Sequence, residues 1–247
     1  MRCGMIAVVV LSVCSNLVGR PEASRIVVDG EINEPWWSQV PAGQLVRSEE
    51  SVPAPIGREI RAATASGYLY LSARLPEPKA RVVARSVGFD PVWEGSDEAR
   101  QIAFFHLYNG APEGEEYVRF FIRIYNENDW MVQVGPLGAY SVRWRWTGER
   151  EWFTSDPKKC DRFMVAARIE ADAWNVEIAV PLDQLGSPPP GAIRLGVERN
   201  RAARPETPRQ QWRWPEYEPS AQVASLSVGP ELSEPLYRPI PWLARRD

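Results

Sequence analysis

The chain predicts an all-β fold: a two-sheet antiparallel β-sandwich, immunoglobulin-like or jelly-roll-like, with few and short helices. Three observations carry this expectation. Segments alternating apolar and polar residues recur through the chain after its first two dozen positions. Turn-forming stretches separate them, among them Ser66-Gly67, Asn109-Gly110-Ala111-Pro112, Gly135-Pro136 and Ser187-Pro188-Pro189-Pro190-Gly191. No window holds the long 3.6-residue apolar period of an amphipathic helix.

In chain order the alternation predicts strands over 58–64, 68–75, 81–86, 101–108, 116–125, 130–134, 140–146, 163–169, 174–180, 193–199 and 223–228. Strands of this number and length pack as two antiparallel sheets face to face. The clearest is 172–182, where Trp174, Val176, Ile178 and Val180 share one face and Asn175, Glu177 and Ala179 the other. Pro181 ends it, having no N–H for a ladder. No Gly/Ser-rich linker divides the chain and no internal repeat is present. The stretch 231–247, with Pro235, Pro239 and Pro241, predicts a tail extended along the surface.

The first 23 residues read as an export signal: Arg2, then an apolar stretch from Met5 to Val13, then small polar residues. That stretch is shorter than the roughly 18 apolar residues of a spanning helix. Leu11-Ser12-Val13-Cys14 resembles a lipobox with Cys14 as the lipidated residue, although Val13 stands where Gly or Ala is usual. Ordinary cleavage near Ser15 or Ala23 is the alternative. The expected location is periplasmic, outer-membrane-anchored or extracellular, with membrane contact only through such an anchor. A domain over 24–230 remains, and 44% apolar with 25% charged residues is enough for a core. Cys3 and Cys14 lie in the leader, so Cys160 is expected as a buried or half-buried thiol and the fold as independent of disulfides. A net charge of -3 gives no drive toward nucleic acid.

Asp29-Gly30-Glu31-Ile32-Asn33-Glu34-Pro35-Trp36 and Ala173-Trp174-Asn175-Val176-Glu177-Ile178-Ala179-Val180-Pro181 are similar to the D-G-x-x-D-E-x-W opening and the G-W-x-V-E-x-A-I-P strand of the family 9 carbohydrate-binding modules and their bacterial relatives. Tyr68-Leu69-Tyr70-Leu71 resembles N-L-Y-V, and Asp90-Pro91-Val92-Trp93-Glu94-Gly95-Ser96-Asp97 the P-W-E-x-D loop. Ile122-Arg123-Ile124-Tyr125-Asn126 resembles F-R-V-N, 191–201 the G-x-x-x-x-x-N-x-x-R segment, and Tyr217-Glu218-Pro219-Ser220-Ala221-Gln222-Val223-Ala224-Ser225-Leu226 the closing W-x-D-P-S-x-F-G-x-L. The resemblance covers about 26–228. It implies a β-sandwich that binds the ends of sugar chains in a slot between two aromatic rings, often with structural calcium. Two departures stand out. Where the family has V-E-x-F-x-D after the P-W-E-x-D loop, this chain has Arg100-Gln101-Ile102-Ala103-Phe104-Phe105-His106, so Gln101 replaces an acidic partner. The second slot ring, a Trp in the family, is Tyr217.

Trp93, on a loop rich in Pro, Gly and Asp, reads as a sugar platform or as a ring folded over the sandwich edge. Stacking on a ring adds about 1 kcal/mol beyond area burial. Tyr217 is the opposite wall by resemblance, with Trp214 as the alternative. Arg123, on the polar side of its strand with Arg119, Phe121 and Tyr125, can donate to two adjacent hydroxyls or serve as an ion-paired strand arginine. Gln101 offers a donor and an acceptor to the same sugar. Glu177 is expected as a structural carboxylate paired with an arginine such as Arg199, and Trp36 and Trp37 as a plug at the sandwich end. Tyr140-Ser141-Val142-Arg143-Trp144-Arg145-Trp146 interleaves rings and arginines as single-strand nucleic-acid binders do; a strand with an aromatic core face and a basic solvent face is the reading that fits the chain's charge.

A single histidine, His106, excludes ordinary zinc clusters and most Cys/His nucleophile pairs, and no Gly-x-Ser-x-Gly accompanies it. Acidic loops such as Asn126-Glu127-Asn128-Asp129 offer oxygens to calcium, and no cofactor is required. The expected function is noncatalytic carbohydrate binding that assists carbohydrate catabolism, with a saccharide ligand and with glycoside hydrolases or envelope proteins as partners. One alternative is an envelope domain working through protein contacts with a degenerate slot. The other is a haem-binding relative using Met131, Met164 or His106.

Overall fold

The structure is a computed structural model that describes residues 26–43, 46–47, 59–84, 115–124, 128–154, 160–189, 191–214, 221–222, 224–225 and 235–237. Its strands are β1 (Val27–Val28), β2 (Ala42–Gly43), β3 (Val46–Arg47), β4 (Glu59–Ala65), β5 (Tyr68–Pro76), β6 (Tyr117–Ile124), β7 (Asn128–Val134), β8 (Tyr140–Trp146), β9 (Phe153–Thr154), β10 (Met164–Ile169), β11 (Ala173–Pro181), β12 (Ile193–Arg201), β13 (Gln210–Trp214), β14 (Ala221–Gln222), β15 (Ala224–Ser225) and β16 (Leu236–Tyr237). The helical elements among the described residues are two 3-10 turns, Pro35–Gln39 and Lys79–Arg81. The smaller sheet runs β10-β11-β5-β4-β15, with β2 also on β4. The larger runs β3-β13-β12-β6-β7-β8-β9, with β14 also on β12. Pairing is antiparallel throughout except for β15 on β4 and for a separate two-stranded pair, β1 with β16. The expected β-sandwich is the fold.

Alternation places the core. Leu69, Leu71, Trp174, Val176, Ile178 and Val180 of the smaller sheet meet Phe120, Ile122, Val132, Val142, Leu195 and Val197 of the larger in one buried cluster. Each large apolar side chain taken out of water there contributes about 1.5–3 kcal/mol. Cys160 is a buried thiol in this core, outside any disulfide.

Strand β11 is buried on both faces along its whole length. Its second face, with Tyr70, Ala63 and Ala166 of neighbouring strands, lies under the segment 26–43. Trp36 and Trp37 therefore do not plug the end of the sandwich: they cover the outer face of the smaller sheet as a third layer. Trp36 packs edge-on against Trp37 (centroids 4.7 Å apart) and Tyr70 (5.3 Å). Such contacts add about 0.5–1.5 kcal/mol each beyond area burial.

Glu177 fastens that layer. One of its oxygens accepts the backbone N–H groups of Asp29 (3.2 Å) and Gly30 (2.9 Å), and the other accepts Trp37 Nε1 (2.9 Å). Its expected pairing with Arg199 is thus incorrect, because the two side chains belong to different layers. Gly30 has φ +87, and a Cβ there would lie 3.0 Å from the backbone of Ala167 and Arg168; both facts require glycine. Asp29 Oδ1 accepts the Glu31 N–H (2.8 Å) to close the turn, and Glu34 Oε1 accepts that of Val27 (2.9 Å).

At one end of the sandwich, Glu77 and Glu116 are buried among Arg199, Arg201 and Arg204. Arg201 grips Glu77 with two bonds (2.6 and 2.9 Å), and Arg204 holds Glu116. Arg199 lies 3.5 Å from Glu77 and donates to Pro76 O (3.0 Å), while Trp174 Nε1 donates to Glu116 (3.1 Å). Burial pushes the Glu116 carboxyl up and the Arg199 guanidinium down to about 10, with each side's counter-charges opposing the shift. The cluster joins β5, β11 and the start of β6 to the end of β12.

Three expectations differ from what is found. The segment 81–86 begins in the 3-10 turn and continues without strand pairing to 84. Of the expected strand at 223–228, residues 224–225 form β15, while 223 and 226–228 lie outside the described residues. β13 and the short edge strands were not foreseen, and the expected tail supplies β16. The strand at 101–108, the leader 1–23 with Cys14, and 238–247 lie outside the described residues.

Two outcomes follow from these contacts. Arg199→Met is expected to lower unfolding free energy by about 3 kcal/mol, because it leaves a buried double carboxylate under-compensated. Arg162→Ala, which removes an ion pair standing in solvent with Asp183, leaves the denaturation midpoint in place. The second concerns pH. Burial, reinforced by Glu34, raises the Glu177 pKa to about 8 against the three N–H donors that lower it. The unfolded chain releases this proton near pH 4.5, so between about 4.5 and 8 the unfolded state binds fewer protons and stability falls as pH rises. Urea titrations across that window should show the decline in the native protein and a flatter profile in Glu177→Gln.

Candidate functional site

The outer face of the larger sheet gathers polar and aromatic side chains by register alone. Arg194, Arg123, Asp129 and Arg145 form one row across β12, β6, β7 and β8. Gly196, Phe121, Met131 and Arg143 form the next, and Arg213, Glu198, Arg119, Gln133 and Ser141 a third. A one-residue slip in any strand would send these groups into the core.

Asp129 is the hub of the first row. Arg123 Nε donates to its Oδ1 (2.9 Å), and Arg145 Nε and Nη2 donate to Oδ2 (3.0 and 2.9 Å). Glu198 plays the same part in the third row, accepting Arg119 (3.1 Å) and Arg213 (3.0 Å), while Arg119 Nε also donates to Gln133 Oε1 (2.7 Å). The Arg145 guanidinium lies over the Trp152 ring (4.5 Å), and Trp152 leans on Phe121 (6.1 Å). Arg119 lies over Tyr117 at 4.5 Å. Stacking and bidentate pairing both hold a guanidinium in a fixed plane. Arg143 sits between these rows, its pKa lowered by burial and then by Arg119.

Arg123 is on this outer face as expected, but in the ion-paired arrangement. Arg119 and Phe121 share the face with it. Asp129 gives both oxygens to guanidiniums and is their counter-ion. In β8, Val142 and Trp144 point to the core side and Arg143 and Arg145 to the other, the aromatic-core, basic-surface arrangement. Trp214 ends β13, its backbone paired with Val197. Trp93, Gln101, Tyr217 and His106 lie outside the described residues. Met131 is on the outer face of the larger sheet and Met164 packs under the N-terminal layer on the smaller one, so the two sulfurs cannot clasp one haem. Arg119, Gln133 and Trp152 were not singled out as site residues. The i, i+2, i+4 spacing of Arg119, Phe121 and Arg123 was the signal available for the first of them.

No family model matches the chain, and no curated protein matches its sequence. Its structure is similar to the crystal structure of a "putative carbohydrate-binding protein" from Bacteroides uniformis ATCC 8492. The identity is 12%, the TM-score 0.51, and the match covers 76% of this chain and 88% of that one. At this identity the likeness shows the β-sandwich fold alone.

Replacing Asp129 by Asn should cost about 1–3 kcal/mol, since two half-buried guanidiniums then face each other across a neutral amide. Raising the salt concentration should recover part of that loss by screening the repulsion. Paired denaturation curves at low and high ionic strength check both expectations.

Proposed function

We propose that this chain is an exported, noncatalytic saccharide-binding β-sandwich that presents sugars to separate carbohydrate-degrading enzymes. The observation that carries the proposal is the outer face of the larger sheet, where Trp152 and Phe121 stand beside planar, pre-oriented guanidiniums. A sugar offers a C–H face to a ring and paired hydroxyls to a guanidinium, so each half of the surface meets its complement. The structural likeness to the Bacteroides uniformis protein and the order of family 9-like motifs along the chain support the same reading. Trp93 and Tyr217 are the proposed slot walls, with Trp214 as the alternative second wall, Arg123 and Gln101 as hydroxyl partners, and Cys14 as a lipid anchor.

One observation favours a second reading, an envelope domain acting through protein contacts. Trp146 and Phe153 stand 55% and 45% exposed on the β8–β9 edge, and both border Trp144. Exposed rings of this kind mark contact sites.

A glycan array followed by calorimetry separates the two. Saturable binding by the native domain, weakened at least about tenfold in Trp152→Ala for the loss of a stacking ring and its burial, supports the saccharide reading on this face, and the same loss in Trp93→Ala supports Trp93 as a slot wall. Absence of binding to plant, algal and bacterial glycans, with a partner protein captured through Trp146, gives the protein-contact reading instead.

A further inference from the structure

We infer that the saccharide taken by the outer face of the larger sheet is acidic, a uronate-bearing chain held through its carboxylates. The inference rests on the saccharide-binding proposal and adds the ligand's chemical class. It starts from charge. On the described outer positions of β6, β7, β8, β12 and β13 stand Arg119, Arg123, Arg143, Arg145, Arg194 and Arg213, against the carboxylates Asp129 and Glu198. The whole chain carries a net charge of -3. Six guanidiniums against two carboxylates on one face of an acidic protein is a local reversal of sign, which attracts anions and orients them before contact.

Residue type narrows the anion. All six cations are arginines, whose fork of N–H donors matches a planar carboxylate with two parallel bonds. Asp129 already shows this geometry with Arg123, while both Arg145 donors converge on one of its oxygens. The groups are also reachable: the side chains of Arg119, Arg123, Arg145 and Arg213 are 29%, 26%, 22% and 44% exposed. Within the face, burial and the neighbouring Arg119 both disfavour the charged form of Arg143.

Apolar surface separates a sugar acid from a small anion. Trp152 and Phe121 border the same guanidiniums, so a pyranose ring can lie on the aromatic groups while its carboxylate reaches the arginines. Single-stranded nucleic acid also combines rings with negative charge, and the test includes it.

The test is calorimetry on the full mature chain with galacturonate, mannuronate, guluronate and glucuronate oligosaccharides. Each is paired with its carboxyl-reduced neutral counterpart, and a single-stranded DNA oligomer is included. The expected result is one acidic oligosaccharide binding at least about tenfold tighter than its reduced form, the range of a charge-assisted hydrogen bond. That advantage should shrink as salt shortens the screening length below about 8 Å. Arg143→Gln and Arg213→Gln should each lose it while keeping the native circular-dichroism spectrum; the latter melts somewhat lower, because only Arg119 then remains on the buried Glu198. Equal binding of acidic and reduced sugars overturns the inference and leaves the saccharide proposal standing. Binding of DNA in preference to every uronate overturns the inference in favour of a phosphate-backbone surface. No binding to any glycan overturns both.

Discussion

A central strand buried on both faces governs this architecture. From Ala173 to Pro181, β11 has no residue in solvent, so it requires an apolar layer on each side. The larger sheet supplies one layer and the segment 26–43 supplies the other. A buried strand that carried only apolar residues would leave the second layer free to slide. Glu177 prevents this, because a carboxyl group at that depth must find hydrogen-bond partners. It finds them in the Asp29–Gly30 turn and the Trp37 indole. The cost of burying the carboxyl is therefore what fixes the N-terminal segment in one register, and the positive φ of Gly30 is what lets the two N–H groups converge.

The covered face has a consequence for function. Trp36 and Trp37 cover the outer face of the smaller sheet around Ala63, Tyr70, Ala166 and Ala179. The larger sheet keeps its outer face partly open, and its polar groups are held in place before any ligand arrives. Asp129 and Glu198 each bind two arginines, and rings support Arg119 and Arg145 from the side. Immobilising rotamer-rich side chains on binding costs about 0.5–1.5 kcal/mol each, a cost that the folded protein has already met here.

Much of this was legible in the sequence, for a definite reason. Period-2 alternation reports which face a residue takes, and for β4 to β8, β10, β11 and β12 it placed the strands to within about two residues. It does not report what lies opposite. Glu177 was thus correctly read as facing away from Trp174 and wrongly paired with Arg199, since its true donors come from backbone about 147 positions away. Trp36 and Trp37 were recognised as buried but assigned to an end, because nothing local reveals a third layer. The 81–86 segment has strand-like composition, yet the chain there turns through Pro78 and Lys79–Arg81 toward the buried ionic cluster. β13 is short, five residues, and its Gln210-Gln211 start masks the Trp212 that packs in the core.

The same reasoning explains why the site was only partly visible. Arg123 could be picked from its strand, but its role depends on Asp129, Arg145 and Trp152, which reach it through register with β7 and β8 and through the chain that follows. A guanidinium alone on a strand is solvated and mobile. Locked by a shared carboxylate and a ring, it is held in one plane as a directional donor. The donor geometry of such a face is therefore a property of the row and not of any member, and it is inherited from the pairing register that the core enforces. The hydrophobic alternation that builds the sandwich and the arginine alternation that arms its surface are the two halves of one period.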